Sequence, residues 1–193
     1  MLSVLLLGPP QLSLDGQPLE TLRRKNRALL FYLASRPAPL TRDEALAFLW
    51  PDHPRAAAQR ILRTMLSELR RQLGPALLAE PDSLALAVDA QVDARRFEAA
   101  LAAPNPGRAA LAAALDLYRG EFLQSFTLAD PPEFDDWVAQ QREYFRALAV
   151  RGLAALALAH EQARDEPAAL TALIRALTLE PLREDLQRSA LRL

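Results

Sequence analysis

The stretch from Arg55 to Leu73 carries the strongest chemical signal in the chain. Placed on a helical wheel at ~100° per residue, Gln59, Arg60, Arg63, Ser67, Arg70 and Arg71 fall within about 120° of one another. Ala58, Ile61, Leu62, Met65, Leu66, Leu69 and Leu73 occupy the other side, Thr64 lies beside the basic arc, and Glu68 sits at its edge. One helix thus has an apolar back and a face of four arginines with no acid inside the arc. The i,i+4 Glu–Arg pairs of an ordinary solvated face cannot form there, and the four guanidinium groups repel one another unless something anionic lies against them. Arginine grips phosphate oxygens or pairs bidentately with guanine, and glutamine reads adenine through its amide. The competing reading is a solvated amphipathic helix.

A second group agrees. Arg23, Arg24, Lys25 and Arg27 crowd the start of an earlier helix. Exposed cations there oppose the macrodipole by ~0.3–1 kcal/mol each. Together with free backbone N–H groups they form a ready phosphate site, the alternative being a solvated charge run.

These residues need elements to hold them. Met1–Leu7 lacks the basic start of a signal peptide and is cut short by Gly8-Pro9-Pro10, so Leu2–Leu7 reads as a strand. Gln11–Leu14 alternates, Asp15-Gly16 is a strong hairpin signal, and Gln17–Leu19 is the return strand. Lys25–Arg36 is a helix that stops before Pro37. Thr41-Arg42-Asp43-Glu44 spells a capping box opening a short helix to Leu49. Pro54 starts the third helix, which ends at Gly74-Pro75, and Leu84–Val88 is one arm of a final hairpin. A short helix, a turn, an arginine-faced helix and a hairpin follow the winged helix-turn-helix plan. In that plan the N-terminal part of the second helix meets the bases. Arg55, Gln59, Arg60, Arg63, Thr64 and Ser67 are therefore candidates for base contact. Arg23, Arg24, Lys25, Arg27, Arg70 and Arg71 are candidates for phosphate contact, the last two also complementing a helix C-terminus.

From Val92 onward the pattern is helical: Asp93–Ala103, Arg108–Tyr118, Pro132–Ala163 with a kink near Gly152, Pro167–Leu179, and a last helix from Leu182. Short turns between consecutive helices read as an array of helical hairpins. Glu133, Asp135 and Asp136 suit the dipole of a first turn rather than acid–base catalysis. Phe134, Trp137, Tyr144 and Phe145 fit core packing, with Trp137 also a candidate for lining a partner groove; Trp50 packs a helix junction. His53, before Pro54, is a helix-entry residue and His160 sits on a polar face.

Composition bounds the rest. Among 193 residues there are 40 Leu, 37 Ala and 6 Gly, which favours helix over strand and argues against a barrel or sandwich. Without cysteine there is no disulfide framework, thiolate zinc site or Cys nucleophile, which fits a reducing cytoplasm. No glycine-rich phosphate loop, metal-ligand spacing or membrane span is present, so neither an enzyme nor a cofactor is expected. The net charge of −1 would exclude a broadly basic nucleic-acid binder. It conceals 22 Arg against one Lys, with residues 1–90 at +2 and residues 91–193 at −3.

Several runs taken in order resemble a known family. Leu29-Leu30-Phe31-Tyr32-Leu33, Thr41-Arg42-Asp43-Glu44, Leu49-Trp50-Pro51-Asp52 and Leu66–Gly74 resemble the OmpR-type winged helix of the SARP transcription regulators. Val92–Glu98, Leu117–Leu123, Phe134–Trp137 and Pro181–Asp185 resemble the bacterial transcriptional activator domain, BTAD. The resemblance implies a mainly α protein with an α+β N-terminal half. A winged helix-turn-helix domain over 1–90 would be followed by an all-α tetratricopeptide-like domain over 91–193. It implies an activator that binds double-stranded DNA at direct repeats near promoters, as a homodimer or in tandem, and contacts RNA polymerase.

Two departures qualify this. The expected wing, Ala79–Gln91, carries Glu80, Asp82 and Asp89 and no cation, so DNA would repel it. The chain also stops just inside its last helix, as a fragment or shortened member would. The acidic wing supports a second reading, a helical protein-interaction adaptor with no direct DNA contact.

Overall fold

A computed structural model describes all of residues 1–193. Strand β1 (Leu2–Leu5) pairs antiparallel with β2 (Gln11–Leu14), which pairs with the short β3 (Gln17–Pro18). The Asp15-Gly16 turn has positive φ at both residues, as that dipeptide favours. β1 is shorter than its apolar run: Leu6 and Leu7 leave the ladder because their N–H groups bond the Asp93 carboxylate instead. Leu7 then bridges to Phe122.

Helix α1 (Arg24–Ser35) buries Leu29, Leu30, Phe31 and Leu33. After β4 (Leu40–Thr41), the Thr41 hydroxyl accepts from the Glu44 N–H at 3.1 Å, and Glu44 accepts from the Thr41 N–H at 2.8 Å. This capping box opens α2 (Arg42–Leu49). α3 (Arg55–Leu73) follows Pro54 and ends at Gly74, whose φ of 53° favours glycine. A single 3-10 turn, Gly74–Ala76, leads into β5 (Leu77–Ala79), which pairs antiparallel with β6 (Ser83–Leu86). β4 adds to the far side of β6. The wing hairpin is thus shorter than Ala79–Gln91. It turns at Glu80–Asp82, and Val88 lies past its end, fully exposed.

Gln91 belongs to a different sheet. β7 (Gln91–Val92) runs parallel to β1 and closes the order β3-β2-β1-β7. The helices that follow are α4 (Asp93–Ala102), α5 (Arg108–Leu115), α6 (Pro132–Gln162), α7 (Glu166–Leu179) and α8 (Glu184–Ala190). α5 stops three residues before Tyr118, whose N–H turns back to Leu115 O. α6 runs unbroken through Gly152, where a kink was expected. A Cβ there would lie 3.1 Å from side-chain carbons of both Leu101 and Leu115, so this glycine admits neighbouring helices rather than bending its own. Buried side chains from both halves form one continuous core.

Candidate nucleic-acid interface

α3 is positioned from behind. Ala58, Leu62, Met65, Leu66, Leu69 and Leu73 are buried, fixing which face turns outward. Trp50, only 4% exposed, packs the α2–α3 turn. The outward face brings together Gln59, Arg60, Arg63, Thr64, Ser67 and Arg71, all exposed. Arg60, Arg63 and Arg71 form no ion pair or side-chain hydrogen bond within the chain, and neither do Gln59 and Ser67. The Thr64 hydroxyl donates to Arg60 O at 3.2 Å, a common resting bond on a helix.

The remaining candidates are engaged. Arg55 Nη2 donates to both carboxylate oxygens of Asp43, at 2.7 and 2.9 Å. Arg70 donates to Ala79 O and ties α3 to the wing strand β5. Arg23 pairs with Glu68 at 3.5 Å, and Glu68 also accepts from buried Asn26 at 3.2 Å. Arg24 donates to the Thr127 carbonyl and lies 5.0 Å from the Phe126 ring centre. Lys25 bonds Leu49 O and Asp130, each at 3.4 Å, over the Trp50 ring. Arg27 donates to Pro10 O and sits over Phe31 and Phe126. Of the four cations at the start of α1, Arg24 and Lys25 therefore join the winged half to the segment before α6.

Trp137 completes the same junction. Its ring meets Tyr32 edge-on at 5.0 Å, Phe122 at 5.5 Å and Phe48 at 5.9 Å. These contacts fit the packing reading of Trp137, whose half-buried ring lies between α6 and the α1–α2 face. Phe134 and Phe145 are buried as expected, whereas Tyr144 is exposed and donates its hydroxyl to Glu98 at 2.7 Å. His53 is exposed. His160 is less exposed than a polar-face residue would be, and its Nδ1 lies 3.2 Å from Asp165. Asp135 does more than complement a dipole, since it accepts the Leu128 N–H at 2.9 Å.

The wing is held by α2. Arg42 N–H donates to Asp82 O at 3.1 Å, and its guanidinium donates twice to Glu80 O, at 3.1 and 3.0 Å. Glu80 and Asp82 keep their carboxylates exposed at the turn. Between the first turn of α2, the first half of α3 and this turn lies an open cleft of about 550 Å³, lined by Arg42, Asp43, Arg55, Gln59, Arg63 and Asp82. At its edge, Glu44 is held below the usual carboxylate value of 4.5, first by the Thr41 backbone N–H, then by the Thr41 hydroxyl, with Arg36 adding to both.

Sequence reasoning missed the arginines that clamp backbone carbonyls. Arg95 donates to Leu33 O and Arg36 O, closing the C-terminus of α1 from the second half. Arg142 donates to Phe122 O and Leu123 O, each at 3.0 Å. Arg175 donates to Leu115 O at 2.7 Å and Tyr118 O at 3.3 Å. The partners are main-chain atoms remote in sequence, so no side-chain spacing announces them. The excess of Arg over Lys is the one available signal; Arg142 uses the two nitrogens of its fork, whereas Arg95 and Arg175 reach both carbonyls from Nη2 alone.

A winged helix-turn-helix region continuous with a helical array defines a class of bacterial transcription regulators. Residues 84–192, more than half of the chain, match the bacterial transcriptional activator domain, and the chain belongs to that family. It is similar to the transcriptional regulatory protein EmbR of Mycobacterium tuberculosis and of Mycobacterium bovis, with 32% identity over 147 residues, 65% of this chain and 38% of theirs. The solved structure of M. tuberculosis EmbR in complex with a low affinity phosphopeptide superposes with a TM-score of 0.75 at 26% identity, covering 98% of this chain and 53% of that one. The chain spans well under two thirds of the length of these relatives. No helix is long and apolar enough to cross a membrane.

Proposed function

We propose that the chain is a sequence-specific regulator that binds double-stranded DNA, with α3 in the major groove. The observation that supports this best is the outward face of α3: Arg60, Arg63 and Arg71 stand exposed and unpaired, with no acid between them. Gln59, Thr64 and Ser67 add amide and hydroxyl groups suited to base edges. Arg23 and Arg71 flank the face as phosphate contacts, while Arg24 and Lys25 serve the junction with the second half and Arg27 bonds Pro10 O. In this reading the helical half contacts RNA polymerase or a second subunit, and the protein activates from direct repeats. Residues 1–90 and 91–193 then differ in task, though β7 of the second part completes a sheet of the first.

The test is a gel shift on the chain's own promoter regions with the double variant R60A/R63A. Binding should fall sharply, and unchanged binding would remove α3 from the interface. The exposed acids of the wing turn favour a second reading, an adaptor that binds protein alone. Salt-insensitive capture of a protein partner, with no shift of any duplex, would select it.

A further inference from the structure

Every base-contact candidate on α3 except Arg55 is without a tertiary partner. Arg55 is held by Asp43, a residue of the preceding helix. Only Nη2 is used, and it takes both carboxylate oxygens. Nη1 and Nε make no bond within the chain. The pair is open to solvent, with side chains 70% and 66% exposed, so it adds little to folding. Its effect is on orientation. A long side chain at the first position of α3 is fixed in one direction, over the cleft it shares with Gln59 and Arg63.

Asp43 is itself well anchored. It follows Arg42, which grips the wing turn, and precedes Glu44, which closes the capping box. The first turn of α2 thus holds the wing with one residue and the start of α3 with the next. An acid beside a DNA interface repels phosphate, and one that merely lowered affinity would serve no purpose there. An acid that orients an arginine trades general affinity for discrimination, since guanine O6 and N7 require two donors in a set direction.

We propose that Asp43 is a positioning residue for base readout: it holds Arg55 through one N–H of Nη2, so that the second Nη2 N–H and its neighbour on the free guanidinium edge meet O6 and N7 of a guanine. This rests on the DNA-binding reading above. The probe is a duplex selected by the intact chain from a random-sequence pool, compared with the same duplex carrying 7-deazaguanine at each guanine in turn, and with an unrelated duplex. The wild-type chain should lose affinity at one deaza position. D43N should bind the unrelated duplex more tightly, bind the selected duplex roughly tenfold more weakly, and lose its sensitivity at that position. In the R55Q background D43N should no longer weaken selected binding, which isolates the coupling between the two residues. Thermal melts check that the variants fold, Glu44 and the capping box being retained. If D43N tightens both duplexes by the same factor, or keeps the deaza sensitivity, the proposal is wrong. If the wild-type chain binds no duplex at all, the DNA-binding reading fails first and takes this one with it.

Discussion

Asp93 and Arg119, both of the second half, meet at 3.1 Å, and the carboxylate is almost fully enclosed. The same carboxylate accepts the N–H groups of Leu6 at 2.7 Å and Leu7 at 3.1 Å, where β1 ends, and of Ala94 at 2.8 Å. One buried acid therefore terminates a strand, starts α4 and receives a cation from the loop after α5. A buried charge is tolerable when it is satisfied in this way.

Removing it should be costly. Asp93→Ala leaves the N–H groups of Leu6, Leu7 and Ala94 and a guanidinium without their acceptor, and is expected to destabilise the chain by about 3–5 kcal/mol. At roughly 2–4 °C per kcal/mol for a chain of this size, a thermal melt will show the loss. A midpoint within a degree or two of wild type would mean the carboxylate is dispensable.

Gly152→Ala should also destabilise, by about 1–3 kcal/mol. The added methyl meets Leu101 and Leu115 at 3.1 Å in a helix whose backbone is otherwise suited to alanine. A stabilised variant in denaturant titration would show that those leucines move aside freely.

Trp137→Ala should cost about 3–5 kcal/mol by emptying the aromatic cluster with Tyr32, Phe48 and Phe122. Because one core spans both halves, the wild-type chain should unfold in a single calorimetric transition. Two separate transitions in the wild type would contradict the continuous core.

The capping box predicts a pH dependence with a defined sign. Glu44 is held below its usual 4.5, so it binds its proton less readily folded than unfolded. Its contribution is complete above the unfolded value and disappears as pH falls through the depressed folded value. Glu44→Gln should lower the thermal midpoint at neutral pH and converge with wild type in acid. Carbon-detected NMR of the Glu44 carboxyl should give a midpoint below 4.5. An ordinary midpoint would remove the effect.

DNA binding supplies the last prediction. The logarithm of affinity should fall against the logarithm of salt with a slope near −0.9 per neutralised phosphate. Arg71→Ala should reduce that slope by about one while weakening all sequences alike, whereas Arg63→Ala should cost about 1–3 kcal/mol on the selected site and relax preference there. Equal behaviour of the two variants would dissolve the distinction between base and phosphate contacts.

The local signals in the sequence were reliable where neighbours along the chain decide the structure. The Asp15-Gly16 hairpin, the Thr41–Glu44 box, and α3 starting after Pro54 and stopping at Gly74 are all short-range features. Most of the arginine face of α3 was legible for the same reason, since periodicity places Arg60, Arg63 and Arg71, whereas the bond of Arg70 to Ala79 O depends on the wing strand. What could not be read was the use of atoms from distant segments. Arg24 and Lys25 look like free cations until Thr127 and Asp130 arrive from more than a hundred residues away. Arg55 looks identical to Arg60 in sequence, and only the packing of α2 on α3 separates them.

Lys25 has a chemical consequence of its own. It is the only lysine among 193 residues, and its ammonium is occupied by Leu49 O, Asp130 and the Trp50 ring. Acylation of side-chain amines, a common way of erasing positive charge on a DNA-binding surface, therefore has a single address on this chain. That address lies at the seam between the halves rather than on α3. The guanidinium face is out of reach of such chemistry, so its charge stays constant, and any covalent control by amine modification would act on how the two halves are joined.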